Sequence, residues 1–326
     1  MGIRNLNKYL LENCSSKSIQ KVHLSCLSGK YIAIDTSIYL YKFASEGTLI
    51  ESMYLFISIL KNYQIVPIFV FDGKPPDEKR ELLRSRKHMK IEAEEKYNEL
   101  NKKDVLTTKD LKELDTLKRQ FVNVTENDIR NVKHLMDIYG VTYHTSPGEA
   151  DQLCCHFVKT KQVWGCLSDD MDMFIYGCER VFRGISLLNH TVILYKTNSI
   201  LRELSVPFSL FQCMLILCGT DYNILSHENN KIPIVFSYYN KYLSQKKQSV
   251  TQEKQNNYEQ FYHWLTQQEN CVITLPNLND IYKLQKLFMM DTYKELNTYN
   301  VSKENLGIYN LQKLVEFLQK YNFVFL

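Results

Sequence analysis

No apolar run in this chain approaches the roughly 20 residues that a membrane-spanning helix needs, and the opening "MGIRNLNKYLLEN" turns polar too soon for a signal peptide. The initial Met-Gly resembles a myristoylation signal, but Leu6 stands where that pattern wants Ser or Thr. No membrane partner is expected. CxxC spacing is also missing: the nine cysteines include Cys154 and Cys155 as neighbours and otherwise sit mostly in apolar runs such as "FQCMLILCG". That usage fits reduced core thiols rather than a disulfide framework or a zinc site, and it implies an intracellular, cytosolic or nuclear setting. Charge of one sign does not dominate, since 40 basic and 36 acidic residues leave a formal +4. Such a balance is compatible with nucleic acid and equally with a metabolic enzyme. No histidine accompanies a Ser or Cys in a nucleophilic arrangement, so water is the better nucleophile for any hydrolysis.

With 326 residues, 44% of them hydrophobic, the chain is expected to form one large α/β domain with insertions, or one domain plus a smaller lobe. Residues 1–28 read as a short helix and a loop. The runs "KYIAIDTS" and "VPIFVFDG" are branched, aromatic and apolar, and each closes on an aspartate. They read as buried parallel strands, joined through the crossover helix "LIESMYLFISILKNY". Asp35 and Asp72 then fall at the carboxyl edge of an open parallel sheet, where ligands bind.

Residues 77–120 change character, with high charge and sparse apolar anchors, and read as a solvated helical pair laced by surface ion pairs. Lys79 and Arg86, seven apart, would share a helix face beside the Asp72 turn. A helix over Glu126–Gly140 and a short strand at "VTYHT" follow. In "SPGEADQLCCHFVK" Ser146 is expected at the N-cap, Pro147 at the first helical position and Glu149 three residues on, a capping box. The stretch "GCLSDDMDMFIYGC" sets Asp169, Asp170 and Asp172 behind the apolar "VWGCL", and "LFQCMLILCGTDYN" reads as an apolar helix ending at Gly219 and presenting Asp221. Helical patterns recur in "YYNKYLSQKKQ" and "LQKLVEFLQKY".

Asp35, Asp72, Glu149, Asp151, Asp170, Asp172 and Asp221 make a set of acids, several at predicted strand ends. Gathered in one cleft they would repel one another unless cations neutralised them, and their hard oxygens suit Mg²⁺ or Mn²⁺. Asp170 and Asp172 would project to one side of an extended segment. Glu149 and Asp151 would diverge by about 200° on a helix, and so converge only over its first turn. A carboxylate cluster holding two metals suits phosphodiester hydrolysis, with Lys79 and Arg86 supplying positive charge to the phosphate.

At this point the chain resembles the flap endonuclease / XPG family of 5′ nucleases. The matching pieces are "MGIRNLNKYL", "IAIDTSIYLY", "FVFDGKPPDEKRELLRSR", "VNVTENDIRNVKHLMDIYGVTYHTSPGEADQLCCHFVK", "GCLSDDMDMFIYG" and "LILCGTDYN". They keep the family's order and cover roughly residues 1–225. The resemblance implies a mostly parallel central sheet flanked by helices, a PIN-like 5′ nuclease core over residues 1–225 with a helical arch or gateway at 77–125. A divergent helical, DNA-binding and core-completing region is implied over 226–326.

It further implies two divalent cations. Asp35, Asp72, Glu149 and Asp151 would be ligands of the first; Asp170, Asp172 and Asp221 would hold the second, with Asp151 shared. Lys79 and Arg86 match the basic pair at the base of the arch, Gly2 a chain end beside the active site, and Tyr41 an aromatic that stacks on a nucleobase. Arg80, Arg84 and Lys87 share the basic arch segment. "EAD" in place of "EAE" also occurs in an exonuclease branch of the family.

Two departures stand out. The chain runs "GTDYNILSHENNKIPIVFSYYN" with no Gly-x-Gly, where relatives have a glycine-rich helix–turn–helix on the duplex. Helix termini and Lys231, Lys241, Lys246 and Lys247 are expected to anchor it instead. The interval from Asp35 to Asp72 is also shorter than in cellular flap endonucleases. No sliding-clamp motif follows "LQKLVEFLQKYNFVFL", and the compact architecture invites comparison with viral nucleases, whose site of action would be the nucleus or a cytoplasmic replication site. The expected partner is DNA with duplex and 5′ single-stranded character. Two other readings compete: a 5′-to-3′ exoribonuclease, against which the "FDGKPP" turn and compact length speak, and a non-catalytic junction-binding scaffold, against which the full set of acids speaks.

Overall fold

The computed structural model describes residues 2–103, 106–222, 230–248, 258–289, 293–301 and 309–323. In chain order the elements are α1 (Leu6–Asn13), β1 (Ile19–His23), β2 (Tyr31–Asp35), α2 (Thr36–Ser45), α3 (Leu49–Asn62), β3 (Val66–Phe71), α4 (Arg80–Leu100), α5 (Thr108–Gln120), α6 (Glu126–Tyr139), β4 (Thr142–Thr145) and α7 (Ala150–Lys159). Then come β5 (Gly165–Leu167), α8 (Asp172–Ile175), β6 (Arg180–Ser186), β7 (Thr191–Lys196), α9 (Thr197–Glu203), α10 (Phe208–Cys218), α11 (Ile232–Gln248), α12 (Tyr258–Thr266), α13 (Leu278–Leu287) and α14 (Leu311–Gln319). The fold is α/β, its strands mostly parallel and flanked by helices. The chain divides into two compact units, Leu27–Ala150 with Val301–Leu326, and Met1–Cys26 with Asp151–Asn300.

In the first unit β2, β3 and β4 run parallel, with Asp35 opposite Val70 and Phe71 opposite Thr145. Nearly every residue of β2 and β3 is buried, as expected of parallel strands covered on both faces. Two helices, not one, make the β2–β3 crossover: α2 starts directly after Asp35 and Gly47 turns the chain into α3. The charged segment forms α4 and α5, which share the buried residues Ala93, Leu114 and Leu117 and a Tyr97–Phe121 edge contact. Capping boxes start α5 (Thr107/Asp110) and α6 (Thr125/Asp128), and Gly140 in the left-handed region ends α6.

In the second unit β5 pairs parallel with β6, β6 antiparallel with β7, and β7 antiparallel with β1. Residues 1–28 thus hold a strand where a loop is expected. β1 buries only Ile19, alternates half-buried and exposed residues after it and carries Gln20, Lys21 and His23, so it lacks the continuous apolar run that marks β2 and β3. Helix α10 is buried from Leu210 to Leu217.

Candidate active site

The first unit gathers Asp35, Asp72, Lys79 and Glu149. Asp35 ends β2 and occupies the N-cap position of α2, yet its side chain makes no capping bond; its buried carboxylate is therefore not accounted for as a helix cap. Asp72 follows β3 directly. Its Oδ1 accepts from the backbone N–H of Ala150 at 2.8 Å, and its Oδ2 accepts from the Ser37 hydroxyl. Gly73 N–H donates to Gly148 O at 2.8 Å, and a Cβ on Gly73 would strike the carbonyl of Ser146. Glycine is required for that close approach, which brings the 146–149 segment beside the Asp72 turn.

The capping box expected there does not form. Ser146 Oγ donates to Glu149 O at 2.8 Å, and Ser146 N–H extends the β4 pairing to Phe71 O at 2.9 Å, so the helix starts only at Ala150. The long-range Asp72 bond satisfies one of the N-terminal amides of α7, which have no partner within the helix. Glu149 precedes the helix rather than lying on it, so the expected divergence from Asp151 does not apply. Its Oε1 accepts from Lys79 Nζ at 2.7 Å, and Lys79 is only 6% exposed.

Arg86 lies two turns along α4 from Lys79 and is half-buried; Arg84 and Lys87 are exposed, and Arg80 reaches Asp77 at 2.7 Å on the surface. Tyr41, on α2, is 45% exposed. Its ring centroid lies 4.9 Å from Lys90 Nζ, and the same ammonium donates to Val122 O at 3.1 Å. Lys90 therefore joins α2, α4 and the segment leaving α5 through one cation, a role no spacing in the sequence announces.

The second unit holds Asp151, Asp170 and Asp172, all buried, and half-buried Asp221 beyond Gly219. Asp151 lies in the first turn of α7, where its Oδ1 accepts from Gln152 N–H at 2.7 Å. Asp170 and Asp172 are not on an extended segment. Asp172 opens the short helix α8, and its N–H donates to Asp170 Oδ1 at 3.0 Å, while Asp170 N–H donates to Ser168 Oγ at 3.1 Å. A polar turn, not strand alternation, brings these two together. Asp169 faces elsewhere: its Oδ1 accepts from Gly184 N–H at 2.7 Å. Gly2, at φ 70°, abuts the pair, since a Cβ there would overlap Oδ1 of both Asp170 and Asp172.

Lys231 is exposed ahead of α11 and Lys241 exposed upon it, whereas Lys246 is half-buried and donates to Gln260 Oε1 at 3.0 Å. The side chain of Lys247 and residues 223–229, where the departure from the glycine-rich motif falls, lie outside the described residues.

Among the described residues no group of three or more His, Cys, Asp or Glu side chains is arranged to hold a metal ion. The donor chemistry nevertheless fits divalent cations. Asp35, Asp151, Asp170 and Asp172 are buried, and buried carboxylates require compensating charge or hydrogen bonds. The seven predicted acids are carboxylates throughout, the donor type that Mg²⁺ and Mn²⁺ take.

The XPG N-terminal domain matches residues 1–93 and the XPG I-region matches residues 140–221. Flap endonuclease 1 of Encephalitozoon cuniculi is 31% identical over 240 residues, covering 68% of this chain and 68% of the relative. Flap endonuclease 1 of Glycine max is 30% identical over 68% of this chain, and the match spans only 62% of that relative's length. The probable RAD2-like endonuclease 369L of Invertebrate iridescent virus 6 is 27% identical over 68% of this chain and 67% of its own. Among solved structures, the catalytic core of Rad2 in complex with DNA substrate superposes with a TM-score of 0.68 at 22% identity, covering 98% of this chain and 95% of that one. Two matching family domains that carry these acids, together with relatives of this identity and coverage, place the chain in the flap endonuclease / XPG family of nucleases.

Proposed function

We propose that the protein is a divalent-metal-dependent 5′ nuclease that hydrolyses phosphodiester bonds in branched, flapped or nicked DNA, leaving 5′-phosphate and 3′-hydroxyl ends. The observation that carries this reading is the placement of Asp35 and Asp72 at the ends of the paired strands β2 and β3, with Glu149 and the buried ammonium of Lys79 beside the Asp72 turn. Flap endonucleases among the relatives and the DNA-bound Rad2 core support the substrate class.

In this reading Asp35, Asp72, Glu149 and Asp151 would hold one Mg²⁺ or Mn²⁺, and Asp170, Asp172 and Asp221 would hold a second. When bound, such cations lower the pKa of the attacking water and stabilise the leaving oxygen. The chain supplies the rest. Ser37 and the Ala150 amide fix the Asp72 carboxylate, and Ser168 and the Asp172 amide fix Asp170. Lys79 and Arg86 place positive charge at the foot of α4 for the phosphate, while Tyr41 offers a ring face to a nucleobase. Residues 1–225 then form the nuclease core, with 77–125 as the gateway for a 5′ single strand. Residues 226–326 contribute duplex contacts through Lys231 and Lys241. Base identity should matter little, because these contacts address phosphate and structure.

A cleavage time course in Mg²⁺ or Mn²⁺ on matched 5′-flap, nicked, gapped, blunt and single-stranded DNAs, with an RNA-flap control, tests the reading. Cutting at the flap base supports a structure-selective endonuclease, and stepwise loss from nicks or ends supports an exonuclease. Preference for RNA would contradict the substrate assignment, and binding without any cutting would contradict catalysis.

A further inference from the structure

Arg183, on β6, lies where the β6–β7 register shifts between Arg183 and Ser186. Its guanidinium spans two distant parts of the second unit. Nη2 donates to the backbone carbonyl of Asp169 at 2.7 Å, and Nη1 donates to Asn7 Oδ1, on α1, at 2.7 Å. Tyr195, on β7, donates its hydroxyl to the same Asn7 oxygen at 2.6 Å, and its ring centroid lies 5.8 Å from the guanidinium carbon. The next residue, Gly184, holds the Asp169 carboxylate through its N–H. Asp169 is thus fastened by both its carbonyl and its side chain, immediately before the turn in which Asp170 Oδ1 accepts from Asp172 N–H. The other end of the brace is α1, and Gly2, four residues ahead of that helix, abuts those same two carboxylates.

The fork pays a cost, because the buried Arg183 Nε–H has no hydrogen-bond partner and an unmet buried donor is destabilising. An apolar residue on β6 would avoid that penalty. What it could not do is fix the Asp169 carbonyl and Asn7 at once, since a planar guanidinium presents parallel donors in a rigid fork.

We propose that Arg183 is a positioning residue: with Asn7 it sets the geometry of the Asp169–Asp172 turn and thereby the affinity of Asp170 and Asp172 for a divalent cation. This rests on the reading of those two aspartates as metal ligands. Partners one shell out from metal ligands characteristically change metal affinity by roughly ten- to a hundredfold when removed.

The test is Mn²⁺ binding to the full chain without DNA, followed by electron paramagnetic resonance, for wild type, Arg183→Met, Arg183→Lys, Asn7→Leu, Asn7→Asp and Asp170→Ala, with thermal melting in parallel. Arg183→Met is expected to weaken Mn²⁺ roughly ten- to a hundredfold, and Asn7→Leu to weaken it in the same direction by less. Arg183→Lys keeps the charge but not the fork and should resemble Arg183→Met, whereas Asn7→Asp keeps the acceptor and should retain affinity. Excess metal should restore much of the cleavage lost in the Arg183 and Asn7 variants. A lower melting temperature with unchanged Mn²⁺ affinity in both Arg183→Lys and Asn7→Leu would overturn the proposal and leave a purely structural brace. If Arg183→Met does not fold, the Asn7 pair decides the matter by itself. Unchanged Mn²⁺ binding in Asp170→Ala would overturn the metal reading, and the proposal with it.

Discussion

Lys79 is buried and its ammonium contacts the Glu149 carboxylate, so its removal touches both charge on the phosphate and the setting of a proposed ligand. Lys79→Ala is expected to slow single-turnover cleavage by roughly a hundredfold or more while leaving duplex affinity nearly unchanged. A loss confined to affinity would recast Lys79 as a phosphate anchor. Gly2→Ala should also impair cleavage, because its Cβ would displace Asp170 and Asp172 and its φ of 70° suits glycine; a wild-type rate in a correctly processed variant would contradict that packing. The strand-end places of Asp35 and Asp72 were legible in the sequence, since branched apolar runs that close on aspartate put it at a parallel sheet's carboxyl edge. Asn7, Arg183 and Lys90 were not legible. Each acts through a partner more than thirty residues away, or through strands whose pairing the local pattern does not declare.

Among the elements, α5 depends on a terminus that can be tested alone. Thr107 Oγ1 accepts from Asp110 N–H, and Asp110 in turn accepts from the Thr107 amide and hydroxyl and from Lys103 at 2.9 Å. Thr107→Ala is expected to destabilise α5 by about 1 kcal/mol, read as faster amide exchange confined to α5 and its contacts with α4. The hydrogen bonds from Thr107, then that from Lys103, hold the Asp110 carboxyl well below its usual range. Its contribution is complete above the ordinary carboxylate value of about 3.9 and disappears as pH falls through the lower folded value. Protection of α5 should therefore persist down to about pH 4 and fade below it, and Asp110→Asn should remove that acid dependence. The strands β2 and β3 were readable because continuous burial leaves continuous apolar sequence. β1 was not, because an alternating strand with polar residues looks locally like a loop. The α7 capping box failed for a related reason: Ser146 N–H pairs with Phe71 O of β3, and the first amide of α7, that of Ala150, is served by Asp72 from just beyond that strand.

For the whole chain, stability should depend on pH through half-buried His144 and buried His156. Burial holds the pKa of His144 below the ordinary value, and burial followed by the nearby Lys159 does the same for His156. A depressed folded pKa means that the unfolded chain takes up the proton first as pH falls. Stability is then fully present above about pH 6.5 and declines as pH drops through the folded values. Melting temperature should be level from about pH 7 upward and fall toward pH 5, with a shallower fall in His156→Leu; an unchanged slope would show that this histidine does not titrate with unfolding. The family is written in residues 1–93 and 140–221, the segments that carry the proposed ligands, and the proposed catalysis depends on them as a set. The most direct test is single-turnover cleavage of a 5′-flap DNA by wild type and by Asp170→Ala across a Mg²⁺ titration, with melting curves confirming that both fold. Metal-dependent cutting by wild type, abolished in a folded Asp170→Ala that still binds the flap, is the predicted result; equal turnover by the two proteins, or cutting by wild type that is indifferent to Mg²⁺, would contradict it.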